Sequence, residues 1–229
     1  KNFIIFSLKK DMKLFNIEEV TAISKYDFIK NYKSVQKPLL IKNYANSWPT
    51  FDQWNLNYIK EKAKGQMVPI YDNEPAAANK SSNTPALHMK MDDYINEIQT
   101  QASDKRIFFY IIKNKLPELL NGFMYPDLGL KVFKQIHTLF FGGNDARVLM
   151  HFDVDMSDFF HIHFEGKKRI LLFDQNQSKY LYRVPLSVHT IEGIDFEDPD
   201  YEKYPALKKA QGYEVFMEHG DLLYIPKGW

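Results

Sequence analysis

Residues 151–173 read HFDVDMSDFFHIHFEGKKRILLF, a core-like run that nonetheless carries three histidines, four acids and a Gly-Lys-Lys turn. Alternation is the key to it. Successive side chains of a strand point to opposite faces, so a strand here projects His151 and Asp153 together and packs Phe152 on the other side. His161 and His163 likewise share one face, opposite Phe160, Ile162 and Phe164. Gly166 turns the chain, and the strand KRILLF sends Lys167 and Lys168 opposite ways. One of these lysines therefore faces apolar neighbours, where it must snorkel to water or meet an anion.

Two histidines and one carboxylate on one side of Fe(II) leave three coordination positions open for other ligands. His151 and Asp153 supply two of that set. A dicarboxylate would supply the anion for Lys168. His161 and His163 are open to three readings: hydrogen bonding to a bound cosubstrate or substrate, service as a spare metal ligand, or packing against neighbouring side chains. Asp155 and Asp158 read as solvated acids beside the pair, and His88, His137, His189 and His219 as structural or surface residues.

The rest of the chain says what can surround such a site. With 229 residues, 45% hydrophobic and 15% aromatic, it has the composition of a globular chain. No run approaches the roughly 18 apolar residues of a membrane span, so a soluble, cytoplasmic protein with no membrane partner is expected. The opening KNFIIFSLKK has an apolar patch too short for a signal sequence. There is no cysteine, which excludes disulfides and thiolate metal sites and leaves histidine and carboxylate as ligands. A net charge of +1 provides no general field for a polyanion.

Along the chain, residues 16–33 have near-helical apolar spacing, with Asn16 as cap. KPLLIKNY reads as a strand, WNLNYIKEKAKG as a helix closed by Gly65, and MVPIYDN as a strand. Residues 72–90 form a polar, proline-bearing surface loop, followed by the helix MDDYINEIQT. Strands are expected at RIFFYII, QIHTLFFGG, RVLMHFD, FFHIHF, KRILLF, YEVFME and DLLYIP. Helices gather in the first half and strands in the second. The fold class expected is mainly β with α: a double-stranded β-helix, or jelly roll, with N-terminal helices packed outside. One domain is expected over 1–229, with 1–105 the helical and strand region and 106–229 the barrel core.

HFD, FEGKKRILLF, FEDPDYEKYPAL and GYEVFMEHGDLLYIPKGW, in that order, resemble the JmjC-type, cupin-like Fe(II)/2-oxoglutarate hydroxylases, and KPLLIKNYANSWPTFDQWNLNYIKEK is similar to that family's N-terminal region. The resemblance implies that His151 and Asp153 ligate iron and that Lys168 pairs with the distal carboxylate of 2-oxoglutarate, which Tyr110 also reaches. It implies a third iron-ligating histidine shortly after the position of Trp229, so the barrel core as given is expected to be C-terminally incomplete. The cofactor implied is Fe(II), with 2-oxoglutarate and O2 as cosubstrates, and the substrate is a protein side chain, a tRNA base or a small molecule. A homodimer through a region beyond Trp229 is a further expectation.

Two features depart from the family pattern. Val148 stands where the family often has a threonine that hydrogen-bonds the cosubstrate. The interval from His151 to Lys168 is longer than usual by about two residues, which places a modified bulge or loop at VDMSD. The competing class is a non-catalytic, cupin-like binding module that has kept the barrel and lost the iron.

Overall fold

The structure, a computed structural model, describes residues 12–73, 84–191 and 193–229. Its strands and helices run in the order β1 (Lys13–Asn16), β2 (Glu19–Val20), α1 (Lys25–Phe28), β3 (Leu39–Ile41), α2 (Leu56–Lys62), β4 (Met67–Ile70), β5 (Leu87–Lys90), α3 (Met91–Thr100), β6 (Arg106–Ile111), α4 (Ile112–Lys115), β7 (Thr138–Gly142), β8 (Phe159–Ile162), β9 (Lys168–Leu172), β10 (Gln211–Met217) and β11 (Leu222–Ile225). Among the described residues no helix is long and apolar enough to cross a membrane.

Two sheets make the jelly roll. One has the order β1-β10-β9 and the other β2-β3-β11-β8. Their facing sides share a core of Ile17, Leu40, Leu172, Val215, Met217 and Leu223. Each side chain of this kind contributes about 1.5–3 kcal/mol on full burial, so this layer holds the sheets face to face. The outer side of the second sheet carries Leu39, Ile41, Leu222 and Tyr224 and packs on Phe28 and Tyr32. The outer side of the first sheet is wet, with Arg169 bound to Glu214 at 2.6 Å and Phe216 exposed.

A second core, with Trp54, Ile59, Ile70, Tyr94, Ile107 and Tyr110 among its members, joins α2 and α3 to the hairpins β4-β5 and β6-β7. The Tyr71–Arg106 bridge links these two hairpins. Phe164, just beyond β8, packs against this core and so ties it to the jelly roll.

Three local expectations are corrected. The helix expected from Asn16 begins at Ser24, whose hydroxyl accepts the Asp27 N–H, and continues past α1 as a wider π turn over Ile29–Lys33. Ile17 and Val20 belong instead to the strand region, because burial between the sheets outweighs their weak helical spacing. The loop expected over 72–90 ends early: Leu87–Lys90 pairs antiparallel with Met67–Ile70, and residues 74–83 lie outside the described residues, as does the opening apolar patch. Finally, RVLMHFD forms no strand. Its one ladder contact is the bridge between His151 and His189, and Val148 and Leu149 are exposed.

Candidate metal and anion site

The inner face of the jelly roll is fixed by register. On β9, Lys168, Ile170 and Leu172 stand opposite Met217, Val215 and Tyr213 of β10. Across the sandwich, His161 of β8 stands opposite Leu223 of β11. Since Val215, Met217 and Leu223 are core residues between the sheets, Lys168 and His161 point into that interior. Gly166 adopts φ +73°, a left-handed conformation that side-chain-bearing residues rarely take, and turns the chain into β9. Lys167 goes the other way, to an exposed ion pair with Glu218 at 2.9 Å.

Lys168 has no hydrogen bond or ion pair among the described residues. Burial lowers its pKa. His161 is held well below the usual imidazole range, first by burial, then by Lys168 and His163. His163 is lowered by burial and by Lys168, against the opposing influence of the Gly166 backbone and Asp221. The two rings lie 6.4 Å apart, nearly parallel. The nearby carboxylate of Asp221 is already taken: it accepts from the Lys42 ammonium at 2.6 Å, the Asn43 N–H at 3.0 Å and the Glu218 N–H at 2.8 Å. The interior thus holds a cation and two neutral imidazoles without a free counterion, an arrangement that suits an anion.

His151 and Asp153 come together without the strand expected for them. The segment is anchored by hydrogen bonds from Phe152 N–H to the Val188 carbonyl (3.1 Å) and from Thr190 N–H to the Met150 carbonyl (3.0 Å). His151 Nδ1 lies 2.7 Å from the Leu149 carbonyl. A carbonyl can only accept, so Nδ1 carries the proton and a neutral ring presents the Nε2 lone pair. That Nε2 lies 3.7 Å from Asp153 Oδ1.

Two atoms each about 2.1 Å from one ion stand roughly 3 to 4.2 Å apart as the angle between them opens from a right angle to a straight line. The pair fits a shared cation, with the Leu149 carbonyl orienting the imidazole as metal-bound histidines require. Among the described residues no group of three such side chains is placed to hold a metal. A cavity beside His151 is bordered by Met150, Arg183, Gly228 and Trp229.

Other candidates fall elsewhere. Tyr110 belongs to the helical core. A bulge between Ile107 and Tyr110, with Phe109 at φ 57°, turns both residues toward that core. Its hydroxyl donates to Gln66 Oε1 at 2.8 Å, and its pKa is pushed up to about 12, chiefly by burial and then by Glu118. His88 is exposed, His219 is bound through Nε2 to the Phe51 carbonyl, and His137 sits against Phe123 and Tyr125.

Asp158 is not a solvated acid. It accepts from the buried Tyr224 hydroxyl at 2.8 Å and fastens the histidine strand's loop to β11. The Asp158–Tyr224 and Lys42–Asp221 bonds join residues 66 and 179 apart in the chain, so no local pattern marks them.

A jelly roll with an interior cation and a paired histidine and aspartate is the arrangement of an oxygenase-type cupin. The sequence comparisons agree: the profile of the cupin-like domain matches residues 25–229, and the chain belongs to that family. It is 24% identical over 240 residues to tRNA wybutosine-synthesizing protein 5 of Gallus gallus, covering 96% of this chain and 74% of that protein. It is 24% identical over 209 residues to lysine-specific demethylase 8 of Xenopus tropicalis, covering 88% and 46%. It is 24% identical over 270 residues to JmjC domain-containing protein F of Dictyostelium discoideum, covering 90% and 56%. These relatives support a 2-oxoglutarate-dependent, oxygenase-type function at the level of the family.

Proposed function

We propose that this protein is an Fe(II)- and 2-oxoglutarate-dependent dioxygenase that hydroxylates a protein side chain, a tRNA base or a small molecule, with decarboxylation of 2-oxoglutarate to succinate. The observation that carries the reading is Lys168, a lysine turned into the jelly roll with no counterion among the described residues. Its role is to hold the distal carboxylate of the cosubstrate by a charge-assisted hydrogen bond. The resemblance also assigns Tyr110 to that carboxylate, but its hydroxyl is bonded to Gln66 in the helical core, so the reading rests on Lys168 and not on Tyr110.

His151 and Asp153 are the iron ligands in this reading, and a histidine following Trp229 is the third. The position of that third ligand is the one the family resemblance assigns. Bound iron supplies the activation of O2. The chain's own contribution is to orient His151 through the Leu149 carbonyl, to fix the cosubstrate and to surround the reacting centre with apolar walls. One oxygen atom of O2 enters succinate and the other enters the substrate.

The relatives' names point to tRNA and to lysine methyl groups as substrate classes. The similarity to the smaller hydroxylases favours hydroxylation as the outcome. The second reading, a binding module without iron, is favoured by Val148, which is 59% exposed and has no hydrogen-bonding group.

The test is to incubate the full-length protein with Fe(II), 2-oxoglutarate and a cell extract, and to follow succinate together with a one-oxygen mass gain in RNA, protein and small-molecule fractions. Substrate-dependent succinate with a mass gain in one fraction supports the enzyme. Neither product, in a protein that binds no iron, supports the binding module.

A further inference from the structure

Tyr213 lies at the opposite end of the paired strands from Lys168: Leu172 of β9 meets Tyr213 of β10, whereas Lys168 meets Met217. A cavity of about 150 Å³ opens at the Tyr213 end, walled by Phe15, Tyr213, Trp229, Asp174, Gln177 and Gln211. That is room for the end of a side chain rather than for one water, whose share of liquid volume is about 30 Å³.

Aromatic rings and a carboxylate meet in these walls. Phe15 of β1 is in register with Tyr213 of β10, and their ring centres lie 6.3 Å apart at 51°. The Trp229 ring lies 5.9 Å from Tyr213 at 31°. The rings are tilted rather than stacked, so neither pair covers its π faces. Asp174 caps the short turn Gln175–Gln177, its Oδ1 accepting the Asn176 N–H at 2.7 Å. Its other oxygen has no hydrogen bond or ion pair among the described residues. Gln177 Oε1 accepts the Gln211 N–H at 2.9 Å and ties this turn to β10, which fixes the acid against the aromatic strands.

The negative face of an aromatic ring and a carboxylate are both complementary to a cation. One ammonium already shows the attraction: Lys13, which is not a wall of the cavity, places its Nζ 4.7 Å from the Phe15 ring centre.

We infer that this cavity is a binding site for an alkylammonium group, of the kind carried by a lysine side chain or a free polyamine. The ammonium packs against the rings and donates an N–H to the Asp174 oxygen that the turn leaves free. A quaternary ammonium, which has no N–H, fits less well because the acid then gains charge balance without a hydrogen bond. The site is separate from Lys168 and does not depend on His151 and Asp153 being iron ligands. Asp174 and Trp229 also border the cavity beside His151, so the two cavities are neighbours.

The experiment follows the indole N–H resonances of the isotope-labelled full-length protein as n-butylammonium chloride is added at constant ionic strength, with n-butanol as the uncharged control. Trp229→Phe identifies the Trp229 resonance. Butylammonium should shift that resonance saturably, and butanol should not. Asp174→Asn keeps the oxygen that caps the turn and removes the charge, and it should weaken butylammonium binding about tenfold. A blocked peptide with one central lysine and spermidine are then compared: tighter binding of the peptide assigns the site to a polypeptide, and tighter binding of spermidine assigns it to a free amine. A Trp229 resonance that does not move with butylammonium overturns the inference. So do equal shifts from butanol, which would make the cavity an apolar cleft, and an affinity unchanged in Asp174→Asn.

Discussion

Lys167 and Lys168 are adjacent and chemically identical, and the fold gives them opposite tasks. Lys167 lies at the surface against Glu218, a pair of the kind that contributes about 0–1 kcal/mol. Lys168 is turned inward toward His161 and His163. Lys168→Ala should therefore lower 2-oxoglutarate affinity by about 1.5–3 kcal/mol, roughly ten- to hundredfold, with the fold intact. Lys167→Ala should leave it unchanged. Equal affinities in the two variants, measured by calorimetry, would remove Lys168 from the cosubstrate site. Asp221 offers a test of the framework: it is 1% exposed and satisfies one ammonium and two backbone N–H groups. Asp221→Ala should cost about 3–5 kcal/mol of stability by leaving those donors uncompensated, read as a lowered denaturant midpoint. A midpoint within error of the parent would mean that water replaces the carboxylate at no cost.

At the scale of elements, most strands were legible because their alternation and turn residues agree with where they bury. KRILLF, YEVFME and DLLYIP became β9, β10 and β11, and the direction of Lys168 followed from period-two alternation. The stretch 16–23 misled because three apolar residues at helical spacing suit one face of a helix as well as they suit short strands covering another sheet. RVLMHFD misled for a different reason: apolar composition does not create a partner strand. Only His151 finds a bridge, across to His189. His151 and Asp153 still lie side by side, Nε2 to Oδ1 at 3.7 Å, because residues two apart in an extended chain remain neighbours even without a ladder. Asp155 and Asp158 could not be told apart in sequence, since which acid meets Tyr224 depends on how the loop between the site and β8 folds. Asp158→Ala should cost about 1–3 kcal/mol by stranding the buried Tyr224 hydroxyl. Asp155→Ala, which loses only local bonds to Ser157, should stay within about 0.5 kcal/mol. Urea titration of both distinguishes them, and equal losses would place the tether elsewhere.

At the scale of the whole molecule, the sandwich core fixes Lys168 and the histidines of β8, whereas the segment holding His151 and Asp153 depends on a loop anchored to residues 188–190 and on the cavity it shares with Gly228 and Trp229. In the proposed site the anion half would thus be built from paired strands and the metal half from loops. The two halves should respond differently to the same change. Asp153→Asn keeps the volume and removes the charge that balances a divalent ion, and His151→Ala removes a nitrogen ligand. Each should abolish stoichiometric Fe(II) binding under anaerobic loading and with it succinate production, while leaving the stability of the sandwich within about 0.5 kcal/mol, since both residues lie outside the core. The third ligand is tested by comparing a polypeptide ending at Trp229 with one continuing through the expected histidine. The longer chain should bind iron at one equivalent and form succinate. The shorter should bind it weakly, because a bidentate pair lacks one bond of the facial set. Equal iron occupancy in the two would mean that the third ligand lies within residues 1–229, and a longer chain that binds no iron would leave the binding-module reading in possession of the fold.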